Sequence, residues 1–179
     1  MSFIMLDRDG VINYDSREYI KSPDEWLPIP GSFEAIAKLT KAGFKIGVAS
    51  NQSGIARGYY SEQVLADIHK KMMHGVELHG GKIHKIVYCP HMPDFGCACR
   101  KPQPGLLYEL ANFFNGVPQG KFFVGDRKTD VIAARACGAI PLLIESQMTI
   151  EGEADLDGVL KFDDLLGVAN HVLKADALA

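Results

Sequence analysis

Asp7 and Asp9 stand two positions apart in Asp7-Arg8-Asp9-Gly10, where the apolar run Phe3 to Leu6 must end. A strand that stops at a glycine turn holds its last side chains at the sheet edge, where open α/β folds place their chemistry. The first carboxylate can attack an electrophile, while the second, past the turn, can exchange a proton or lend its backbone carbonyl to a metal. An acidic turn without chemistry is the other reading of these four residues, so the motif gains weight from others like it. Three more polar groups follow apolar runs. Ser50-Asn51, with Gln52-Ser53-Gly54, offers hydroxyl and amide donors to a phosphate oxygen. Arg100-Lys101 precedes Pro102, and Gly125-Asp126-Arg127-Lys128-Thr129-Asp130 adds two carboxylates. Taken singly these are a turn, a solvated basic pair and a helix start capped by Asp130.

Brought to one place, Asp7, Asp9, Ser50, Lys101 and Asp126 form a set suited to phosphoryl transfer. Crowded carboxylates repel one another, and a divalent cation relieves them. Oxygen-only ligands with open positions favour Mg²⁺, and the hydroxyl and ammonium then hold the phosphoryl oxygens. A second constellation lies just upstream of Lys101. Cys89-Pro90-His91 and Cys97-Ala98-Cys99 put three sulfurs and an imidazole into eleven residues. Four such ligands, Cys89, His91, Cys97 and Cys99, suit a closed tetrahedral Zn²⁺ site of structural type, the other reading being reduced thiols in a loop. A zinc there would fix where Arg100 and Lys101 point. His69, His74, His79 and His84 recur every five residues and so scatter around a helix; with His171 they are expected at the surface. Cys137 is expected in the core.

The elements that must position these groups follow from apolar periodicity. Strands are expected at Phe3 to Leu6, Phe44 to Ser50, Ile83 to Tyr88, Lys121 to Val124 and Ile140 to Ile144. Helices are expected after Ser32 as cap up to Gly43, from Ser61 to Gly80-Gly81, from Pro104 to Phe114, from Asp130 to Cys137 and from Phe162 to Lys174. Asn13 to Ser22 and the prolines at 23, 28 and 30 resist helix. Strict alternation of strand and helix predicts an α/β fold: a doubly wound, Rossmann-like parallel sheet with helices on both faces. No G-x-G-x-x-G follows the first strand, which disfavours a dinucleotide site.

With 179 residues, 47% of them hydrophobic, the chain suits a single domain over 1–179. A net charge of −3 disfavours nucleic acid and anionic membranes as partners. No basic leader and no apolar run of roughly 20 residues is present, so a cytoplasmic protein is expected, and a monomer.

The order Asp7-x-Asp9-Gly10, Ser50-Asn51, Lys101 and Gly125-Asp126-x-x-x-Asp130 resembles the four motifs of the haloacid dehalogenase superfamily, over residues 3 to 130. Within it the chain is most similar to the capless heptose bisphosphate and histidinol phosphate phosphatases, through Asp7-Arg8-Asp9-Gly10-Val11-Ile12-Asn13, Asn51-Gln52-Ser53-Gly54-Ile55-Ala56-Arg57-Gly58 and the cysteine loop. The resemblance implies a Mg²⁺-dependent phosphoric monoester hydrolase. Asp7 would be the nucleophile that becomes an aspartyl phosphate, and Asp9 the general acid and base. Mg²⁺ would lie on Asp7, the Asp9 carbonyl and Asp126. It further implies a small phosphorylated sugar as substrate: the 7-phosphate of D-glycero-D-manno-heptose 1,7-bisphosphate, on the route to ADP- or GDP-heptose for lipopolysaccharide. Histidinol phosphate is the alternative, disfavoured because an arginine-lined pocket repels its cation. A phospho-receiver signalling module is a reading from another class, set against by the cysteine loop that ends the third strand. Substrate contacts are expected from Asp15, Ser16, Tyr19, Asn51, Gln52, Ser53, Arg57, Arg100 and Arg127. Arg127 stands where close relatives often carry lysine, and Ser50 where threonine is commoner.

Overall fold

The structure, a computed structural model, describes residues 2–146, 149 and 156–178. Six strands, β1 (Phe3–Leu6), β2 (Lys45–Asn51), β3 (Lys85–Cys89), β4 (Phe122–Gly125), β5 (Ile140–Ile144) and β6 (Leu160–Phe162), form one sheet in the order β3-β2-β1-β4-β5-β6. Every pairing is parallel. Among the described residues five α-helices return the chain between strands or close it: α1 (Ser32–Lys41), α2 (Glu62–Leu78), α3 (Gly105–Phe113), α4 (Lys128–Ala136) and α5 (Leu165–Ala177).

Side chains of a strand alternate between faces, and β1 divides its four residues accordingly. Ile4 and Leu6 join Ile36 and Leu39 of α1, Ile68 and Met72 of α2, and Leu165 and Val168 of α5. Phe3 and Met5 join Leu106 and Leu110 of α3 and Ala133 and Ala134 of α4. Helices therefore cover both faces, as the alternation predicts, and a strand buried on both sides reads as a continuous apolar run. From β1 the chain first builds outward through β2 and β3, then crosses back to place β4 on β1's other side. That reversal opens a crevice beyond the carboxyl ends of β1 and β4, where Asp7 and Asp126 follow their strands. No cap domain interrupts the described residues, and no helix among them is long and apolar enough to cross a membrane.

Several boundaries differ from expectation. β6 was not foreseen: it spans three residues, with Leu160 and Lys161 exposed at the sheet edge, too few to show an alternation. The last helix begins at Leu165 rather than Phe162, with Asp164 accepting from the Gly167 amide at 2.8 Å. Ser32 does not cap α1; Gly31, at φ +84°, does, and Ser32 is the first helical residue with its hydroxyl buried. α4 starts at Lys128, so Asp130 sits inside its first turn. Between β1 and α1 the chain forms a loop, pinned by bridges of Asn13 to Asp9 and to Pro28, and a 3-10 turn at Pro23–Glu25.

Candidate active site

The centre of the crevice is built around a buried lysine. Lys101 is 3% exposed, and its Nζ lies 2.8 Å from Asp7 Oδ1 and 2.7 Å from Asp130 Oδ1 and donates to the Ala49 carbonyl at 3.0 Å. Burial opposes its charge, but Asp130 and Asp7 outweigh that and raise its pKa. Asp130 is thus more than a cap. Its Oδ2 accepts from the amides of Asp126 and Arg127 at 3.2 and 3.1 Å, leaving Oδ1 for the lysine. Gly125 makes this possible, since a Cβ there would stand 2.2 Å from that of Asp130.

Asp7, Asp126 and Asp130 each offer an oxygen within 4.8 Å of the others. Burial pushes the Asp7 carboxyl well above its ordinary pKa, Lys101 opposing and the other three aspartates adding to it. Asp126 is raised to about 7, by burial and then by Asp130. Its Oδ2 accepts from the Ser146 hydroxyl at 2.7 Å, whereas Oδ1 is buried with no hydrogen-bond partner among the described residues. A buried carboxylate oxygen left over beside a second raised carboxyl is what a divalent cation removes, and an all-oxygen donor set fits Mg²⁺. Gly10 keeps the space open. At φ +80° it adopts the left-handed conformation, and a Cβ on it would fall 2.0 Å from Asp126 Oδ2.

Asp9 lies in the opposite environment. Its Oδ1 accepts from Arg8 Nε (3.1 Å) and Nη2 (2.8 Å) and from Asn13 Nδ2 (2.9 Å), and its Oδ2 from Gln52 Nε2 (2.9 Å). Burial alone would raise its pKa, but Arg8 and these hydrogen bonds hold it below the ordinary value. Gln52 also donates to Ser50 Oγ (2.8 Å) and accepts from the Tyr60 hydroxyl (2.5 Å). Arg8 and Tyr60 were not singled out in the sequence. Arg8 stands between the two aspartates and could have been suspected; nothing local marks Tyr60.

Around these groups lies a cavity of about 870 Å³, lined by Asp7 and Asp9, by Asp15, Ser16 and Tyr19, by Asn51 to Ser53, and by Arg100, Lys101 and Arg127. Of the expected substrate contacts, Arg57 alone is outside the lining; it is exposed, its guanidinium 5.7 Å from the centre of the Tyr19 ring. Asn51 reaches the cavity, but its amide is committed to the Lys101 backbone, accepting from its N–H and donating to its carbonyl, both at 3.0 Å. Arg127 forms an ion pair with Asp15, tying the loop after β1 to the start of α4. His69 is a correction: it is 6% exposed and 3.2 Å from Arg8, because its turn of α2 faces the sheet. His84, which accepts from the Ile46 amide, and His171 are half-buried rather than on the surface, while His74 and His79 are exposed. Cys137 is buried, as expected.

Beside Lys101 the cysteine loop gathers its four side chains. Ligand atoms of Cys89, His91, Cys97 and Cys99 all lie within 4.8 Å of one another. Cys89 and Cys97 sulfurs are 3.6 Å apart, and His91 Nδ1 is 3.4 and 3.3 Å from the sulfurs of Cys89 and Cys99. Tetrahedral zinc with Zn–S near 2.3 Å and Zn–N near 2.0 Å requires edges of about 3.5–3.8 Å, so three thiols and one imidazole nitrogen fit that ion. The Arg100 amide donates to Cys97 Sγ at 3.4 Å, linking the cluster to the residue before Lys101.

Known proteins match this chain over nearly its whole length. The family model described as polynucleotide kinase 3 phosphatase matches residues 2–139. A protein from Pseudomonas putida, D-glycero-beta-D-manno-heptose-1,7-bisphosphate 7-phosphatase, is 51% identical over 97% of this chain and all of its own length. The crystal structure of D,D-heptose 1,7-bisphosphate phosphatase from Bordetella bronchiseptica, complexed with magnesium and phosphate, is 42% identical, covers 98% of this chain and 99% of its own, and superposes with a TM-score of 0.93. That from Burkholderia thailandensis is 35% identical, covers 97% and 99%, and gives a TM-score of 0.71. The chain belongs to the haloacid dehalogenase superfamily and, within it, to the family of these heptose bisphosphate phosphatases.

Proposed function

We propose that the chain hydrolyses the 7-phosphate of D-glycero-β-D-manno-heptose 1,7-bisphosphate, with Asp7 as nucleophile, Asp9 as proton donor and acceptor, and Ser50 and Lys101 steadying the phosphoryl group. The reading rests on the buried ion pairs of Lys101, which set the carboxylate meant to attack beside the cation meant to hold phosphoryl oxygens. The relatives' names supply the substrate.

Asp7 attacks phosphorus and the bond to the sugar's C7 oxygen breaks, with Asp9 giving that oxygen a proton. Water then attacks the aspartyl phosphate, Asp9 takes its proton, and the bond to Asp7 breaks to release inorganic phosphate. In the free protein Asp9 is held ionised, so its proton is acquired as a phosphoryl anion settles beside it. Asp7, Asp126 and the Asp9 carbonyl would hold Mg²⁺, whose charge draws electron density from the phosphoryl oxygens. Ser50 lends a hydroxyl, held in place by Gln52.

Asp15, Ser16 and Tyr19, with Arg100 and Arg127, surround the part of the cavity left for the sugar and its second phosphate, which guanidinium forks suit. Cys89, His91, Cys97 and Cys99 would bind structural Zn²⁺. With the Asn51 amide, which brackets the Lys101 backbone, a zinc held there would fix Lys101. The chain would act as a single cytoplasmic domain on a small phosphorylated sugar. Turnover of both heptose bisphosphate anomers, histidinol phosphate and p-nitrophenyl phosphate, measured side by side, tests the assignment. The β anomer is expected to be fastest; equal rates on all four would overturn it.

A further inference from the structure

His69 has no part in the chemistry described, yet it is buried behind it. Arg8, 1% exposed, uses all three guanidinium nitrogens within the site. Nε and Nη2 donate to Asp9 Oδ1, and Nη1 lies 3.2 Å from His69 Nε2. A guanidinium has donors only, so Nε2 must accept and the ring proton is on Nδ1. Burial, and then Arg8 itself, hold the imidazole down at about 3, so the ring is neutral and available as an acceptor.

The consequence reaches Asp9. Its Oδ1 takes three donors, two of them from Arg8, and its Oδ2 takes one, from Gln52. Oδ2 therefore keeps the free lone pair that a proton needs. Without an acceptor at position 69, Nη1 would be a buried donor with no partner among the described residues. The guanidinium would turn to find one, and Oδ1 would lose its fork.

We propose that His69 is a positioning residue: by anchoring Arg8 it orients Asp9 so that Oδ2 faces the leaving oxygen. The inference rests on Asp9 as proton donor, and the test separates the two. Phosphorylation of Asp7 is followed in a single turnover by rapid quench. From heptose bisphosphate the leaving group is the C7 alkoxide of heptose 1-phosphate, which needs a proton, whereas from p-nitrophenyl phosphate it is p-nitrophenolate, which does not. In His69→Met the first step with heptose bisphosphate is expected to slow about tenfold, part of the roughly 10²–10⁴ that a placed acid contributes. With p-nitrophenyl phosphate it is expected to stay within about threefold. His69→Gln, whose amide oxygen can take the place of Nε2, should restore the rate. Should the Met variant fail to fold, His69→Asn, polar but too short to reach Arg8, carries the comparison. Asp9→Asn should give a p-nitrophenolate burst and then stop; a burst slowed as much as the heptose reaction would overturn Asp9's role. Equal slowing of both substrates in His69→Met, or of neither, while Asp9→Asn behaves as expected, would overturn the role of His69.

Discussion

Replacing Lys101 by Met keeps much of the side-chain volume and removes one buried charge. At 2.8 and 2.7 Å, with an effective dielectric near 20, each pair contributes about 6 kcal/mol of attraction before desolvation. The cost of burying the ammonium offsets much of that. Removing one partner of a buried pair nonetheless destabilises by about 3–5 kcal/mol, because the other charge is left uncompensated. For a chain of this size each kcal/mol moves the melting temperature by roughly 2–4 °C, so Lys101→Met should melt about 6–20 °C below the parent in metal-free buffer at pH 8. Mg²⁺ supplies positive charge to the same carboxylates and should recover part of the difference. Adding Asp7→Asn, which removes one of the stranded charges, should recover part as well. Phosphatase activity should fall by about 10²–10³. Differential scanning calorimetry of the four proteins of this double-mutant cycle, with and without Mg²⁺, measures each term. A melting point within about 2 °C of the parent, or a loss insensitive to both Mg²⁺ and Asp7→Asn, would refute the account of Lys101 as counterion to the carboxylates.

Three further outcomes are expected. Gly10→Ala puts a methyl 2.0 Å from Asp126 Oδ2 at a φ of +80°; Mg²⁺ affinity by titration calorimetry should weaken by about tenfold or more, and unchanged affinity would show that Asp126 is not a ligand. Asp126, raised to about 7, binds a proton in the metal-free folded state that the unfolded chain has released by about pH 5. The stability this proton confers is complete below the unfolded pKa and is lost as pH rises to about 7. Mg²⁺ competes with the proton, so the rise in melting temperature on adding Mg²⁺ should grow from pH 5 to 8, and a constant rise would contradict the shift. Stripping zinc should lower activity by about 10–100-fold and increase amide exchange in residues 90–104; full activity in protein shown by mass spectrometry to lack zinc would refute the zinc's role.

The sequence displays what strand ends determine and hides what side-chain direction determines. Asp7, Ser50 and Asp126 stand at or just past the ends of β1, β2 and β4, which pair in parallel around the switch point, so apolar runs and chain order were enough to bring them together. The cysteine cluster was legible because its ligands are close in sequence. Asp130 looked like a cap because its contact with Lys101 spans 29 positions and depends on a glycine at 125. His69 looked like a surface residue because a five-residue spacing says nothing about which turn of α2 faces the sheet. β6 was invisible because three residues carry no period.

Two residues of one type, separated only by Arg8, thus end in opposite electrostatic states. Asp7 sits where the sheet ends, among Asp126, Asp130 and a lysine that does not fully compensate its burial, and its pKa is pushed up. Asp9 lies past the bend at Arg8, where Arg8, Asn13 and Gln52 all donate to it, and its pKa is held down. Those directions run against the roles proposed for Asp7 as nucleophile and Asp9 as proton donor. Mg²⁺ held by Asp7 and Asp126 would favour the ionised form of Asp7, as Lys101 already does, and a phosphoryl anion beside Asp9 would raise its proton affinity. On the proposed mechanism each arriving charge would correct the carboxylate it meets.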